Sequence, residues 1–177
     1  AGAIYLWKGG AALAGSVAAT ARLAVTSPVA NDHLGQATLL ADVTGDGTAD
    51  IVAGTPDADI GTATDAGAIH LWAGGSALSG SPAPVNTLTI PSTVAGDALG
   101  VLRSGSVRVQ GGCFCADVTG DGTLDMVAGA TSADTGAVVD SGAVFVWAGG
   151  SGLLSANAPT ATLVIPSAAA GDRLGFA

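Results

Sequence analysis

Two nine-residue stretches carry the densest chemistry in the chain: Asp42-Val43-Thr44-Gly45-Asp46-Gly47-Thr48-Ala49-Asp50 and its copy from Asp117 to Asp125. Oxygen donors stand at positions one, three, five and nine. These are Asp42, Thr44, Asp46 and Asp50 in the first stretch and Asp117, Thr119, Asp121 and Asp125 in the second, with the carbonyls of Thr48 and Thr123 at position seven. Odd spacing turns alternate side chains toward one point, and the glycine at position six supplies the backbone freedom that a tight loop needs. Three carboxylates with neutral oxygens suit a hard cation such as Ca²⁺, whereas Zn²⁺ favours imidazole or thiolate. Two Ca²⁺ sites are expected. Asp-rich turns without metal are the plainer alternative, but three carboxylates in nine residues repel one another unless a cation lies between them. An EF-hand shares the early spacing, yet Ala53 and Ala128 stand where its bidentate Glu would be.

Such loops need strands to hold them, and the composition points the same way. All fourteen acids are Asp, only one of the five basic residues is Lys, and 28 of the 177 residues are Gly. A chain without Glu and nearly without Lys lacks the residues that fill solvent-facing helix positions, so a helical architecture is excluded in favour of strands and turns. The formal charge of -9 and the scatter of Lys8, Arg22, Arg103, Arg108 and Arg173 leave no basic stripe for nucleic acid. Apolar runs of about five to eight residues, broken by Gly, Asp, Ser or Pro, are far short of a spanning helix, so no transmembrane segment is expected. Charged residues at 11% of the chain predict that neighbouring protein covers much of the surface.

The chain repeats itself. One strand occurs three times, as Gly2-Ala3-Ile4-Tyr5-Leu6-Trp7, Gly67-Ala68-Ile69-His70-Leu71-Trp72 and Gly142-Ala143-Val144-Phe145-Val146-Trp147, at spacings of 65 and 75 residues. Each copy is followed by a Gly-Gly turn, an alternating strand and an Asp-x-Leu-Gly turn at Asp32, Asp97 and Asp172. With the Asp loops and their flanks, each unit holds four short strands, the signature of a β-propeller blade; a solenoid coil would be shorter. The expectation is an all-β chain of four-stranded antiparallel blades, about two and a half of them, with an incomplete ring. Residues 1–33 form the second half of a blade, 34–98 and 99–173 are full blades, and 174–177 begin another. The longer spacing places a ten-residue insertion near 101–112, read as loop growth or as a partner-binding protrusion through Arg103 and Arg108.

Leu-Gly, Asp-Val-Thr-Gly-Asp-Gly-Thr-x-Asp, Ala53-Gly54-Thr55-Pro56 and Gly-Ala-Ile-His-Leu-Trp together resemble the FG-GAP repeat of integrin α-subunit β-propellers and their bacterial relatives. The resemblance implies that the Asp loop joins the first two strands of a blade and binds Ca²⁺ through Asp42, Thr44, Asp46, Thr48 and Asp50 and the set from Asp117. Family propellers commonly have seven blades. Leu34 and Leu99 stand where the motif has Phe, and Thr44 and Thr119 where Asn or Asp is usual.

The other polar residues suggest scaffolding. Asp59 and Asp134, Asp65 and Asp140, and the three Asp before Leu-Gly recur in register, which suits turn and cap duties. Trp7, Trp72 and Trp147 are expected to pack between blades, His70 to pack with a polar tip, and His33 to lie exposed in a turn. Cys113 and Cys115 face one side of a strand, as buried thiols or as a link to a partner. No Gly-x-Ser-x-Gly or His-x-x-x-His motif is present, so no enzyme is expected. The function read from these features is a Ca²⁺-binding propeller module, extracellular or periplasmic, serving as a structural, adhesive or protein-binding scaffold. Alternatives are a non-catalytic segment of a larger secreted enzyme and a subunit assembling into a ring or fibre through edge strands. Its partners would be proteins, or further blades of the same or another chain, with a homo-oligomer or larger assembly among the options.

Overall fold

The computed structural model describes residues 1–10, 13–35, 38–100 and 113–175. The insertion at 101–112, with Arg103 and Arg108, lies outside the described residues, as do Phe176 and Ala177 at the start of the expected further blade.

Among the described residues, ten strands form three antiparallel sheets. The first pairs β1 (Ile4–Leu6) with β2 (Ala21–Leu23). The second runs β3 (Thr38–Ala41), β4 (Asp50–Thr55), β5 (Ala68–Trp72) and β6 (Asn86–Leu88) side by side in chain order. The third repeats that order with β7 (Cys113–Ala116), β8 (Asp125–Ala130), β9 (Ala143–Trp147) and β10 (Ala161–Leu163). The chain is thus all-β, built of four-stranded propeller blades and a two-stranded partial one.

The middle strands of the second sheet are buried throughout, which is why Asp50-Ile51-Val52-Ala53 and Ala68-Ile69-His70-Leu71-Trp72 are nearly continuous apolar runs. Period-two alternation sends their side chains to two different cores. Ile51, Ala53 and Trp72 pack with Ala21, Leu23 and Leu34 toward the two-stranded sheet. Val52, Ile69 and Leu71 pack with Met126, Ala128, Phe145 and Trp147 of the third sheet. Each such aliphatic side chain, once buried, contributes roughly 1.5–3 kcal/mol. Polar ties span the same junctions. The Asn86 side-chain amide donates to the carbonyls of Leu153 and Ala156 at 2.7 and 2.8 Å, and Gly150 N–H donates to the Val43 carbonyl at 2.8 Å. Between the first two sheets, Arg22 N–H donates to the Gly80 carbonyl at 2.8 Å.

Trp72 and Trp147 are each 1% exposed and fill these junctions, as the repeat predicts. Trp7 departs from the expectation at 46% exposure, because the indole faces away from the second sheet and nothing described covers it.

Backbone contact sets the distance between Leu-Gly turn and strand. Gly67 N–H pairs within a turn, and its Cα lies against the Leu99 backbone; Gly142 meets Leu174 and Gly2 meets Leu34 in the same way. Gly54 touches the Gly100 carbonyl so closely that a Cβ would overlap it. Gly54→Ala is therefore expected to lower stability by about 2 kcal/mol or more, because backbone rather than a flexible side chain must move. Gly152→Ala, at an open position, serves as the control and should leave the urea midpoint unchanged.

Candidate metal site

The Asp42–Asp50 loop joins β3 to β4, and the Asp117–Asp125 loop joins β7 to β8. In both, the first aspartate organises the turn. Asp42 Oδ1 accepts the N–H groups of Gly45 and Asp46 at 2.8 and 3.1 Å, and Oδ2 accepts that of Gly47 at 2.8 Å. Asp117 repeats this with Gly120, Asp121 and Gly122 at 2.7, 3.1 and 3.0 Å. Asp46 and Asp121 each accept one N–H, from Thr48 and Thr123, both at 2.8 Å. Gly45, Gly47, Gly120 and Gly122 all have positive φ, the left-handed region that lets the chain wrap around these carboxylates.

The ninth residue is the anchor. Asp50 is fully buried; its Oδ2 accepts from Val43 and Thr44 at 3.0 and 2.9 Å, and its Oδ1 accepts from Gly74, beyond β5, at 2.9 Å. Asp125 has the same partners in Val118, Thr119 and Gly149, with the Thr119 hydroxyl in addition. Burial would raise the Asp125 pKa, but the N–H donors of Gly149, Thr119 and Val118 and the Thr119 hydroxyl outweigh it and hold the carboxyl below the usual carboxylate range.

Each loop thus carries its predicted donor residues along one turn between two strands, with the first and ninth carboxylates bound to backbone N–H groups. Among the described residues no group of three or more His, Cys, Asp or Glu side chains is placed to hold a metal ion. The donor chemistry nevertheless fits a hard cation. The Thr44 hydroxyl at position three is buried and has no hydrogen-bond partner, and a buried oxygen without a partner costs free energy that a ligand would recover. Asp46 and Asp121 keep most of their lone pairs free of protein donors and stay exposed to solvent.

The remaining aspartates take the turn positions expected of them. Asp32, Asp97 and Asp172 each accept the N–H three residues earlier, at 2.7, 2.6 and 2.7 Å. Asp59 and Asp134 accept from Asp65 and Asp140 at 3.1 and 2.9 Å. Asp57, which has no counterpart in the repeat, pairs with exposed His33 through Nδ1, a contact that sequence spacing does not signal because 24 residues separate the two.

A cleft of roughly 240 Å³ between the first two sheets is lined by Val25, Asp32, Thr55, Asp59, His70 and Thr87 among others. Its histidine is committed to structure. The Thr55 hydroxyl donates to the Ala68 carbonyl at 3.4 Å and so accepts from Nε2–H at 3.0 Å, leaving Nδ1 to accept from Thr87 at 2.9 Å. Burial lowers the His70 pKa to about 4, against an opposing pull from Asp32. On the third sheet, burial and the charge of Asp50 push the half-buried Cys115 thiol up to about 11, so it stays protonated and unreactive.

The sheets and loops define a β-propeller-type module. Residues 34–72, which span the Leu-Gly turn, the first Asp loop and the Trp strand, match the family model of the FG-GAP repeat. The chain carries an FG-GAP repeat there, and the stretch from Cys113 to Trp147 reproduces its strand order and loop hydrogen bonds. No curated protein matches the chain. Among the described residues no helix is long and apolar enough to cross a membrane.

Two outcomes follow for solution stability. Asp125→Ala strands four donors around a buried site and should cost about 3 kcal/mol in chemical unfolding. Because the Asp125 pKa is lowered on folding, the stabilisation it brings is present above about pH 4 and fades below that. His70 behaves in the opposite sense to a histidine that gains a charged partner. Its folded pKa is depressed, so stability is full above about pH 6.5 and falls by up to roughly 3 kcal/mol as pH drops toward 4. His70→Phe, which copies Phe145 of the third sheet, should flatten the melting temperature across that window.

Proposed function

We propose that the chain is a Ca²⁺-binding propeller segment that works outside the cytoplasm, extracellular or periplasmic, as a structural, adhesive or protein-binding scaffold without catalytic activity. The observation that carries this reading is the duplicated Asp loop, whose backbone is wound by its own carboxylates and whose Thr44 hydroxyl is buried without a partner. Asp42, Thr44, Asp46, the Thr48 carbonyl and Asp50 would hold one ion, and Asp117, Thr119, Asp121, the Thr123 carbonyl and Asp125 the other. The ion would neutralise carboxylates that otherwise repel across each turn and would add its binding free energy to folding. Hard-oxygen loops of this kind suit the millimolar calcium found outside cells.

The non-catalytic part of the reading is supported by His70, whose ring nitrogens are both engaged, and by Cys115, whose thiol is held protonated. Adhesion or protein binding suits the half-exposed apolar side chains of the third sheet, Phe114, Leu163 and Val164.

Calorimetric titration of chelator-treated protein with Ca²⁺ should give two ions per chain and a rise of several degrees in melting temperature. Asp46→Asn combined with Asp121→Asn, which leaves Asp42, Asp50, Asp117 and Asp125 to fold the loops, should abolish both effects. A melting temperature indifferent to chelator, with no heat of binding, would defeat the calcium assignment.

A further inference from the structure

The Asp-x-Leu-Gly turns between sheets leave one carboxylate oxygen without a task in the fold. Asp32 and Asp97 each use Oδ2 to accept the N–H three residues earlier, at 2.7 and 2.6 Å. Oδ1 of Asp97, at the junction of the second and third sheets, is buried without a hydrogen-bond partner. Asp32, at the junction before it, is 5% exposed, and among the described residues no donor reaches its Oδ1 either.

The two junctions differ in what surrounds that oxygen. At the junction of Asp97, the side chains of Ile90, Ala130, Ala133 and Phe145 belong to one closed apolar cluster. In the matching places around Asp32 stand Val25, Thr55, Ala58 and His70, and these line the cleft of roughly 240 Å³ together with Asp32 and Asp59. Valine for isoleucine and imidazole for a phenyl ring remove bulk, and Thr55 and Thr87 hold the imidazole by hydrogen bonds at 3.0 and 2.9 Å. One blade packing thus closes the second junction and leaves the first open, so the cleft is a property of these side chains and not of the repeat. An oxygen that is orphaned at the closed junction has room for a ligand's donor at the open one.

The lining of the cleft selects the ligand. Asp32 and Asp59 bring two carboxylates, Val29, Ile60 and Pro84 bring apolar wall, and among the described residues no Lys or Arg lines it. His70 adds no positive charge near neutral pH, because burial lowers its pKa to about 4. A hard divalent ion takes six or more oxygen ligands, which two carboxylates on apolar walls do not supply. A primary ammonium on a short alkyl chain suits both features, with three N–H donors for the oxygens and hydrocarbon for the walls. The volume lies below the ~300–1,000 Å³ of drug-sized sites and so calls for a small ligand.

We propose that the cleft between the first two sheets binds a small organic cation, a primary alkylammonium, which donates to Asp32 Oδ1 and to the Asp59 carboxylate and lays its alkyl chain against Val25, Val29 and Ile60. The site is separate from the Asp loops and does not rest on calcium.

The test titrates the full chain with butylammonium and, in parallel, with butan-1-ol, and follows the backbone amide shifts. Saturable shifts at Val29, Ala58 and Thr87 are expected with butylammonium, at an affinity about tenfold or more above that for the alcohol, because hydrogen bonds between ionised partners are the stronger kind. Asp32→Asn keeps an acceptor for the Val29 N–H and should weaken binding about tenfold. Asp59→Asn, which keeps an acceptor for Asp65, gives a second variant with the same expected loss should the first fold poorly. His70→Phe, which copies the closed junction, should abolish binding, whereas Asp97→Asn should leave it unchanged. Equal affinity for ammonium and alcohol overturns the proposal, as does an affinity indifferent to both Asp32→Asn and Asp59→Asn. Displacement of butylammonium from these amides by added Ca²⁺ also overturns it, since a metal ion would then be the occupant.

Discussion

The buried carboxylate at the ninth position of each Asp loop is the interaction on which the blades depend. Asp50 has no exposure to solvent, and its two oxygens hold three N–H groups from two directions: Val43 and Thr44 at the head of the loop, and Gly74 beyond β5. One side chain therefore closes the loop and locks the third strand of the sheet against the second. A charge so deeply buried is tolerable only because its lone pairs are occupied by donors, and the depressed pKa of Asp125 shows the same balance between burial and hydrogen bonds.

From that anchor outward, the fold is held by close approach. The Leu-Gly turns press their backbone against Gly2 and Gly67, which brings each sheet near enough to its neighbour for Trp72 and Trp147 to fill the space between. Small residues are obligatory at the seam and large ones in the gap, so packing density is kept without long side chains. The paucity of Lys and Glu belongs to the same economy of short side chains, since nearly every Asp serves a turn, a cap or a loop.

Much of this was legible in the residues. Three Trp strands, two Asp loops and three Leu-Gly turns in register disclosed strand number, sheet order and the roles of Asp32, Asp59, Asp97, Asp134 and Asp172, because each role is local and the repeat states it more than once. His70 was legible only as a packing residue with a polar tip; its Thr55 and Thr87 partners lie on neighbouring strands. The Asp57–His33 contact had no signal, since the two side chains meet across a turn and occur once.

What a sequence can say about this protein is what repetition and short-range spacing encode: the blade unit, the donor order of the loops, the glycines where backbone must approach backbone. Which surface each repeated residue faces depends on the neighbour it meets, and that is a property of stacking. Trp7, Trp72 and Trp147 are equivalent in the chain, yet two are buried and one stands open, because burial requires an adjoining sheet and among the described residues none adjoins the first of the three on that side. Thr44 and Thr119 are likewise equivalent by position, and only packing leaves the first hydroxyl enclosed without a partner while the second reaches Asp125.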